Sequence, residues 1–493
     1  MDEQVASREK GAFMGEHVIV ADLGYGDAGK GTVVDWLCAQ EPVHAVVRFN
    51  GGGQAAHNVV LPDGRHHTFA QFGSGTFRGV PTHLSRFVIV DPLAMAAEAA
   101  HLSELGVPDP FALLTVDRDA LLATPYHVAA GRAREVARGE DRHGSCGMGV
   151  GETVAYALEH PDLAPTVGDC EDPVRLARKL RALRQALEAI WEETDQEADQ
   201  ETDQETVRNA GREAGRLPRR TGQGTGRGTR RGTEQRAGRP AGREVGREAV
   251  PSVEDCVVAY RAFAERVILV DSSFVTALLR RRPVVFEGAQ GVLLDEWHGF
   301  HPYTTWSTTT FANALTLLDG APAVRLGVLR SYTTRHGPGP LVTEDPTLEA
   351  VERHNGTGPW QGPFRVGHFD AVAHRYALAA AGGADALALT HLDVPVSRMC
   401  VSYDIGELPV GVAGDLDGQA RLTARLLGAR PRYLDGVDDW PAAVADALGV
   451  PVRVGSWGPT SADKTRLGGS TSCSPRSEGR DVRTGGVTAP ERV

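Results

Sequence analysis

Short runs of apolar residues alternate along the chain with segments whose apolar residues recur at helical spacing. The runs predict buried β-strands at His17–Leu23, His44–Phe49, Phe87–Val90, Pro283–Glu287, Val324–Ser331, Ala384–Leu392 and Val452–Ser456. Several of them end in a glycine-bearing loop. The alternation indicates an α/β fold with a mostly parallel sheet and helices on both faces. Ligands of such a fold bind at the carboxyl ends of the strands.

One segment, Glu192–Val250, departs from this alternation. Its first part, Glu192–Glu205, holds eight acidic residues and no base, and Arg208–Arg247 holds twelve arginines against three acids. The segment has only four large apolar side chains, too few to offset the entropy of ordering it. We predict a disordered charged insertion. It is either a tolerated surface insertion or an arm that binds RNA or self-associates.

The segments on either side of the insertion, Val174–Trp191 and Val257–Leu279, predict two surface helices. Added length between surface elements costs little loop entropy. The polar end of the chain, residues 467–493, predicts a disordered tail. We therefore expect residues 14–466 to form a single large domain around one sheet, interrupted by the insertion at residues 192–250.

Composition narrows the class of protein. The 493 residues are 41% apolar, enough for a sizeable core, and 52 basic against 64 acidic side chains give a net charge of 52 − 64 = −12. This acidic balance argues against a general nucleic-acid binder. Six scattered cysteines without a CxxC pair indicate reduced thiols in a cytoplasmic protein. The polar start, Met1–Phe13, is unlike a signal peptide, and no apolar run of about 18 residues predicts a membrane span.

A glycine-rich loop follows the first predicted strand. It reads Gly24-Tyr-Gly-Asp-Ala-Gly-Lys30-Gly31, and a helix is predicted directly after it at Thr32–Leu37. The amides of such a loop and the N-terminus of the helix can bind phosphate. The loop nearly fits GxxxxGK[ST], but Gly31 replaces the hydroxyl residue that binds Mg²⁺. Asp27 inside the loop would repel phosphate unless it holds a metal ion or takes part in the chemistry. Alone, the loop is equally compatible with a tight turn.

Further blocks follow along the chain. They are Arg48-Phe-Asn-Gly-Gly-Gly-Gln54-Ala-Ala-His57, Gly144–Gly151, Phe286-Glu-Gly-Ala-Gln290-Gly, Thr304–Thr310, Tyr332–Gly339, Leu389–Asp393 and Gly455–Pro459. Together with the glycine loop, this ordered set resembles the adenylosuccinate synthetase family over about Val18–Trp191 and Val257–Lys464. The Phe-Glu-Gly-Ala-Gln-Gly block, with Pro302-Tyr303-Thr304 downstream, is specific to that family.

The resemblance implies a single large α/β domain, a homodimer and a ligase that acts on small molecules in two steps. In that family, GTP phosphorylates the 6-oxygen of IMP, and the amine of L-aspartate then displaces phosphate. The catalytic aspartate matches Asp27, which would deprotonate the purine. The catalytic histidine matches His57, which would stabilise the transferring phosphoryl group, and Lys30 matches the phosphate-loop lysine. The implied Mg²⁺ site lies at Asp27 and Ala56.

The same resemblance implies the GTP site. The residues expected to bind the phosphates and the guanine are Gly26, Gly29, Lys30, Gly31, Asp393, Ser456, Gly458 and Pro459. Asp393 would accept hydrogen bonds from guanine N1 and the exocyclic amine, a pair of donors that adenine lacks. One departure is His391, where the family has a lysine whose stem covers the base. An imidazole could stack on the base instead.

The acceptor side departs further from the family. Gln290 and Thr305 match residues that contact the IMP phosphate or ribose, and Gln54 stands where the family has an asparagine. Cys146 replaces a phosphate-binding threonine, and the arginine that the family sends across the dimer aligns near His160. In the loop that grips aspartate, Arg365 alone remains for the amine substrate, with Gly362 and Phe364 in place of arginines. Trp297 and Trp306 lie near these positions, either as pocket lining or as core.

The free energies of the lost hydrogen bonds make these departures from the family informative. A charge-assisted hydrogen bond contributes roughly 1.5–3 kcal/mol, so losing two or three would weaken IMP and aspartate together by about 3–9 kcal/mol. Three hypotheses stay open. The first is a GTP-dependent carbon–nitrogen ligase with a changed acceptor and amine, which would suit specialised metabolism. The second is ordinary adenylosuccinate synthesis with rearranged contacts. The third is a GTP-binding protein that has lost catalysis.

Overall fold

The computed structural model describes residues 13, 15–40, 42–191, 250–281, 283–348 and 355–468. The predicted disordered insertion, up to residue 249, and the predicted tail from residue 469 lie outside the described residues. Within the described part, no helix combines the length and apolar character needed to cross a membrane.

The described residues form eighteen strands and eleven α-helices. The strands are β1 (His17–Asp22), β2 (Ala45–Arg48), β3 (His57–Val60), β4 (His66–Phe69), β5 (Thr82–Leu84), β6 (Ile89–Val90), β7 (Leu114–Asp117), β8 (Leu121–Leu122), β9 (Ile268–Val270), β10 (Val284–Gly291), β11 (Ala323–Arg330), β12 (Tyr332–His336), β13 (Phe364–Asp370), β14 (Ala386–Thr390), β15 (Arg398–Tyr403), β16 (Pro431–Asp435), β17 (Val452–Ser456) and β18 (Lys464–Arg466). The helices are α1 (Lys30–Gln40), α2 (Pro92–Glu104), α3 (Pro125–Ala137), α4 (Val150–Glu159), α5 (residues 173–191), α6 (Val253–Ala264), α7 (Ser273–Leu279), α8 (Ala312–Leu318), α9 (Ala371–Ala380), α10 (Leu416–Leu427) and α11 (Trp440–Leu448).

Ten strands form the main sheet, in the order β18-β17-β14-β11-β1-β10-β2-β5-β7-β9. Every neighbouring pair is parallel except β17 with β18 at one edge. The predicted α/β fold with a mostly parallel sheet is therefore confirmed. A second sheet of four strands, β12-β13-β15-β16, lies beside it in the chain's carboxyl-terminal half.

Strand β1 shows why the central strands of the sheet have unbroken apolar sequences. Ile19 and Ala21 belong to one buried cluster, and Val18 and Val20 belong to another on the opposite face, together with Val33 and other apolar residues of α1. A strand that is covered on both faces has no solvent side and needs no polar alternation. The parallel strands around β1 bring their carboxyl ends to one edge of the sheet.

Two predicted elements differ from the structure. The helix predicted over Val257–Leu279 is wrong, because α6 ends at Ala264 and α7 begins at Ser273. Between them, β9 pairs in parallel with β7, with Ile268 opposite Thr115. Pairing with the sheet edge overrides the helical spacing of this apolar stretch. Of the predicted strand Phe87–Val90, only β6 forms, and it pairs with β8 outside the main sheet. The helix predicted at Val174–Trp191 is confirmed as α5.

Candidate active site

The glycine loop between β1 and α1 is built around a buried carboxylate, that of Asp22. Asp22 accepts hydrogen bonds from the amides of Gly24 (2.7 Å) and Ala28 (2.9 Å), and its Oδ2 lies 3.1 Å from the ammonium of Lys30. Both charged side chains are almost completely buried. Sequence reasoning did not single out Asp22. Its position as the last residue of the strand before the glycine loop was the available signal.

Asp27 lies in the same loop, held in a left-handed backbone conformation with φ of 58°. Its Oδ2 lies 3.3 Å from Nε2 of His336, and Arg330 donates to its carbonyl oxygen. Burial alone would raise the pKa of Asp27. The hydrogen bond with His336 and the charges of Lys30 and Arg330 outweigh burial and hold this pKa below its ordinary value. Asp27 is therefore an ionised carboxylate, the form required of a general base or a Mg²⁺ ligand.

His57 begins β3 and lies directly against Gly31 at the start of α1. Its Nδ1 lies 2.7 Å from Oε1 of Glu287, which ends the apolar run of β10 and also accepts from the amide of Ser74. Burial lowers the pKa of His57, more than Glu287 raises it. The pKa of Glu287 is held below its ordinary value despite burial, because His57 and Ser74 hydrogen-bond to it and Arg48 lies nearby. Nε2 of His57 is buried and has no hydrogen-bond partner among the described residues.

Gly31 explains why the loop lacks the usual hydroxyl residue. A Cβ at this position would lie 2.8 Å from Cβ of His57 and 3.1 Å from the hydroxyl oxygen of Ser74. Contacts this short require the backbone or His57 to move. Glycine at the start of α1 therefore lets the histidine-bearing strand approach the phosphate loop.

The expected guanine pocket lies at the ends of β14 and β17. Asp393, Ser456, Gly458 and Pro459 line it, and the hydroxyl of Thr32 donates to the Pro459 carbonyl at 2.7 Å, which joins the pocket to α1. His391 also lines it, at a positive φ of 57°. Its Nδ1 lies 2.7 Å from the hydroxyl of Thr390, and its ring meets Tyr332 edge-on. Burial lowers the pKa of His391 well below 6.5, so the imidazole is neutral.

We use "acceptor half" for the part of the cleft lined by Gln54, Cys146, Gln290, Thr305 and Trp306. The amide nitrogen and oxygen of Gln54 and the amide oxygen of Gln290 are buried without hydrogen-bond partners in the described structure. Gln290 has a positive φ of 55°. Unpaired buried amides are costly and are expected where a ligand supplies the partner.

Arg365 is not in the cleft. Its guanidinium is paired with both carboxylate oxygens of Glu344, at 2.9 and 2.5 Å, and donates to the carbonyls of Gly337 and Gly339. These four hydrogen bonds tie β13 to the loop after β12. In this geometry Arg365 fixes the loop, and its amine-substrate role stays a prediction.

A single cleft of about 1660 Å³ brings the other expected site residues together. Those that line it are Gly26, Asp27, Gly29, Lys30, Gly31, Gln54, Ala56, His57, Cys146, Gln290, Thr305, Asp393, Ser456, Gly458 and Pro459. The described residues contain no group of three or more His, Cys, Asp or Glu that could hold a metal by themselves. Asp27 and Ala56 both line this cleft. An ionised carboxylate is a suitable ligand for Mg²⁺, which is commonly held by one or two carboxylates together with substrate phosphates and water.

Several residues in or directly behind the cleft were given no role in the sequence analysis. Glu287 stood inside a quoted block without a role, because its partner His57 is 230 positions away. Arg330, Arg335 and His336 also line the cleft. Arg330 ends β11, and Arg335 and His336 lie in β12. Only the fold shows that these two strands approach the glycine loop, where Arg330 and His336 contact Asp27.

A phosphate loop with a buried lysine, an ionised carboxylate and a histidine on one cleft defines a nucleotide-dependent phosphoryl-transfer enzyme of the α/β class. The family model "Adenylosuccinate synthetase" matches residues 19–220 and 241–424. The chain therefore belongs to the adenylosuccinate synthetase family, and it is a GTP-dependent ligase of that family.

Relatives and solved structures agree with this assignment. Adenylosuccinate synthetase of Marinomonas sp. (strain MWYL1) is 32% identical over 90% of this chain and 97% of its own length. That of Ectopseudomonas mendocina is 31% identical over the same shares of the two chains. The fully ligated adenylosuccinate synthetase structure from Plasmodium falciparum matches with a TM-score of 0.65 at 18% identity. It covers 92% of this chain and all of its own. The cyanophage S-2L succinoaminodeoxyadenylate synthetase, bound to dGMP and dATP, matches with a TM-score of 0.53 at 17% identity, covering 92% of this chain and 95% of its own.

Proposed function

We propose that this protein is a GTP-dependent carbon–nitrogen ligase with a changed substrate pair. A carbonyl or amide oxygen of an IMP-like acceptor attacks the γ-phosphorus of GTP, and GDP leaves. An amine, L-aspartate or a substitute, then attacks the activated carbon, and the carbon–oxygen bond breaks to release phosphate. The observation that carries the proposal is selective retention. Asp27, Lys30 and His57 line one cleft, whereas Arg365 pairs with Glu344 and is not among the lining residues.

Each retained residue has a place in the first step. Asp27 is ionised and takes the proton of the acceptor's ring amide as its oxygen attacks. Nε2 of His57 is the buried ring nitrogen without a partner, and Glu287 holds the other nitrogen, so His57 is fixed to meet the transferring phosphoryl group. Anionic phosphates raise the pKa of a neighbouring histidine and favour its donor form. Lys30 lines the cleft and supplies positive charge to the phosphates, and Asp393 selects guanine.

The metal ion, the oligomeric state and the location that we propose follow from the family. We propose Mg²⁺ at Asp27 and Ala56, where it would neutralise charge on the phosphates. We also propose a homodimer that acts on small molecules in the cytoplasm, with residues 14–466 as one catalytic unit. Support for a changed substrate comes from the phage enzyme, whose solved structure contains dGMP and dATP.

Ordinary adenylosuccinate synthesis is the second candidate, favoured by relatives of that name over nine-tenths of the chain. The deciding test measures phosphate release from GTP with Mg²⁺, with and without IMP plus L-aspartate, while adenylosuccinate is followed directly. Robust adenylosuccinate formation would establish the second candidate. GTP binding without adenylosuccinate, followed by phosphate release with another acceptor and amine, is the result that we expect.

The Asp27→Ala variant tests the catalytic assignment. We expect acceptor-dependent phosphate release to fall by about 10²-fold or more, because the base is removed. Asp63→Ala is the control, since this carboxylate is exposed and paired only with Arg65. Full turnover by the Asp27 variant would refute the mechanism. GTP binding with no phosphate release for any acceptor would support the third hypothesis, a protein that has lost catalysis.

A further inference from the structure

The loop that carries Cys146 is packed against helix α3. We call residues 144–149 the acceptor loop, because Cys146 and its neighbours line the acceptor half of the cleft. Nε of Arg132, on α3, donates to the carbonyl of Gly147 at 3.1 Å. Within the loop, the hydroxyl of Ser145 accepts from the amide of Gly147, also at 3.1 Å. The helix therefore fixes one side of the acceptor loop.

A hairpin lies against the same loop. Gly358 and Gly362 exchange both backbone hydrogen bonds, at 3.0 and 3.1 Å, and close residues 358–362 into a tight turn. Gly358 and Gln361 line the cleft. In the family this segment belongs to the loop that grips aspartate, so we call residues 358–362 the amine hairpin.

Trp360, at the tip of the amine hairpin, makes the contact with the acceptor loop. A Cβ on Gly147 would lie 2.7 Å from Cδ1 of its indole ring, so only glycine allows this approach. The guanidinium of Arg132 lies 5.5 Å from the centroid of the same ring. Indole is the best aromatic partner for such a cation. Arg132 therefore holds the acceptor loop by a hydrogen bond and the amine hairpin by its tryptophan.

A second contact joins the same segments. A Cβ on Gly144 would lie 2.6 Å from Cδ of Pro338 and 3.5 Å from the carbonyl oxygen of Gln361. Pro338 belongs to the loop after β12, and Arg365 donates to the carbonyls on either side of it. The acceptor loop, the loop after β12 and the amine hairpin thus pack together at the edge of the cleft.

We propose that Trp360 is a positioning residue that couples the two substrate sites, because it holds the acceptor loop, and with it Cys146, in the conformation that binds the acceptor. The inference rests on the proposed ligase function, since it takes the two segments as the acceptor and amine sites of one reaction. An amine bound at the hairpin then strengthens acceptor binding, and the acceptor strengthens amine binding by the same factor. Trp360 does not line the cleft itself, so its effect passes through Gly147 and Arg132.

The thiol of Cys146 reports the conformation of the acceptor loop without any ligand, because it is partly exposed. Full-length wild type and Trp360→Ala are treated with N-ethylmaleimide, and peptide mass spectrometry gives the reaction rate at each cysteine. We expect Cys146 to react about fivefold faster or more in Trp360→Ala, because a loop that opens more often exposes its thiol more often. Trp360→Phe should restore most of the wild-type rate, since a ring remains beside Arg132.

Two controls accompany this measurement. The other cysteines that the structure describes are buried and report unfolding, namely Cys38, Cys170, Cys256 and Cys400. If they also react faster in Trp360→Ala, Trp360→Leu takes its place, because leucine keeps the apolar bulk. Tyr433→Ala is the matched control and should leave Cys146 unchanged. Its ring also lies near an arginine, 5.1 Å from Arg398, and neither residue lines the cleft.

Gly147→Ala tests the contact from the other loop. Its Cβ would meet the ring of Trp360, so this variant should also speed the reaction of Cys146. Added to Trp360→Ala, the same substitution should raise the rate by only about twofold or less, because the ring that it would meet is gone. Effects that multiply fully in the double variant would show that the loops do not act through this contact.

Binding and steady-state kinetics measure the coupling itself. IMP plus L-aspartate is assayed first, and then the other acceptors and amines of the phosphate-release assay. For the pair that supports turnover, Trp360→Ala should raise KM for the acceptor about tenfold or more, while KM for GTP changes by less than about twofold. Without GTP, the amine should lower the Kd of the acceptor about threefold or more in wild type and leave it unchanged in Trp360→Ala.

Opposite results separate this inference from the ligase function. An unchanged reaction rate of Cys146 in Trp360→Ala, or an increase in KM for GTP alone, would overturn the inference. The ligase function would stand in that case, as long as one pair of substrates supports turnover. If no pair supports turnover, the ligase function fails, and the reaction rates of Cys146 alone decide whether Trp360 holds the acceptor loop.

Discussion

The His57–Glu287 pair shows how single residues tune the chemistry. Glu287 is fully buried and accepts from Ser74, and its carboxylate lies 2.7 Å from Nδ1 of His57. A histidine whose Nδ1 is held this way has a fixed ring orientation. Nε2 of His57 is buried and without a hydrogen-bond partner among the described residues. Glu287 itself is not among the residues that line the cleft. It acts through His57 and is a positioning residue.

Replacing Glu287 by glutamine tests this role. The Glu287→Gln variant keeps a hydrogen-bonding oxygen but removes the negative charge that raises the pKa of His57. We expect kcat to fall roughly 10- to 100-fold while KM for GTP changes little. The pH profile of kcat should shift to lower pH, because His57 protonates less readily. Steady-state kinetics from pH 5 to 9 measure both.

A matched control separates charge from a general effect of the substitution. Glu171→Gln removes a surface carboxylate that pairs with Arg118 and should leave kcat unchanged. If Glu287→Gln retained wild-type kcat and pH profile, Glu287 would be structural only.

At the scale of elements, the site depends on how closely α1 approaches β3. Gly31, in the first turn of α1, lies directly against His57. Glu287 of β10 hydrogen-bonds to the same histidine. The sequence predicted α1 and β10 separately and did not predict β3. Their contact explains the one position where the loop departs from the usual phosphate-binding pattern.

The Gly31→Ser variant would restore that usual pattern and should nevertheless damage the enzyme. Its Cβ would lie 2.8 Å from that of His57, so the histidine must move. We expect a loss of about 1–3 kcal/mol in stability and a fall in kcat of about tenfold or more. Thermal unfolding and steady-state kinetics check the two effects.

Gly428→Ala is the control, because φ there is −102° and its Cβ would make only one ordinary contact, at 3.8 Å from the Arg425 carbonyl. Wild-type stability and kcat in Gly31→Ser would mean that His57 tolerates displacement, contrary to the geometry.

At the scale of the whole molecule, the two chain segments that flank the insertion both contact the side chain of Tyr126. The ring of Trp191 stacks on Tyr126 at 6.4 Å, and the Tyr126 hydroxyl donates to the carbonyl of Pro251 at 3.1 Å. A short connection can therefore join α5 to α6. Nothing in the described cleft is contributed by residues near these ends.

Replacing residues 192–249 with an eight-residue glycine–serine linker tests whether the insertion is a tolerated surface addition. Such a linker has a root-mean-square span of about 16 Å, enough to join the two ends at Tyr126. We expect kcat/KM within about twofold of wild type and a Tm within about 3 °C. Loss of GTP turnover, or loss of RNA binding measured by gel shift, would assign the insertion a function instead.

The pH dependence of stability also belongs to the whole molecule. Burial lowers the pKa of His83 and His374 to about 4 and that of His127 to about 3. Between pH 6.5 and 4 the unfolded chain therefore binds more protons than the folded chain, so stability falls as the pH is lowered. Each histidine accounts for up to about 3 kcal/mol. Asp370 opposes this loss of stability, because burial raises its pKa to about 6. At this one site the folded chain therefore binds up to one more proton than the unfolded chain.

Urea unfolding at pH 7, 5.5 and 4.5 measures this loss. His83→Gln should reduce the fall in unfolding free energy between pH 7 and 4.5, because one buried histidine no longer protonates on unfolding. His160→Gln, at a more exposed position, should leave the slope unchanged. A stability that does not change from pH 7 to 4.5 would contradict the burial of these histidines in solution.

The sequence by itself determined those features that depend on neighbours in the chain. The apolar runs predicted the strands β1, β2, β10, β11, β14 and β17, and the glycine loop with Lys30 predicted the turn into α1. These predictions succeeded because strand burial and loop conformation depend on local composition and spacing. The short strands β5 and β7 and the edge strand β9 lacked such a signal, because pairing within the sheet decides them.

Only the tertiary structure decided which side chains meet across the cleft. His57 contacts Glu287, and Asp27 contacts His336. These contacts result from the order of the strands in the fold and not from spacing in the chain. The same folding pairs Arg365 with Glu344. Residue type therefore revealed the candidate chemistry. The long-range packing assigned each charge its partner, because a guanidinium or carboxylate pairs with what lies within hydrogen-bonding distance in space.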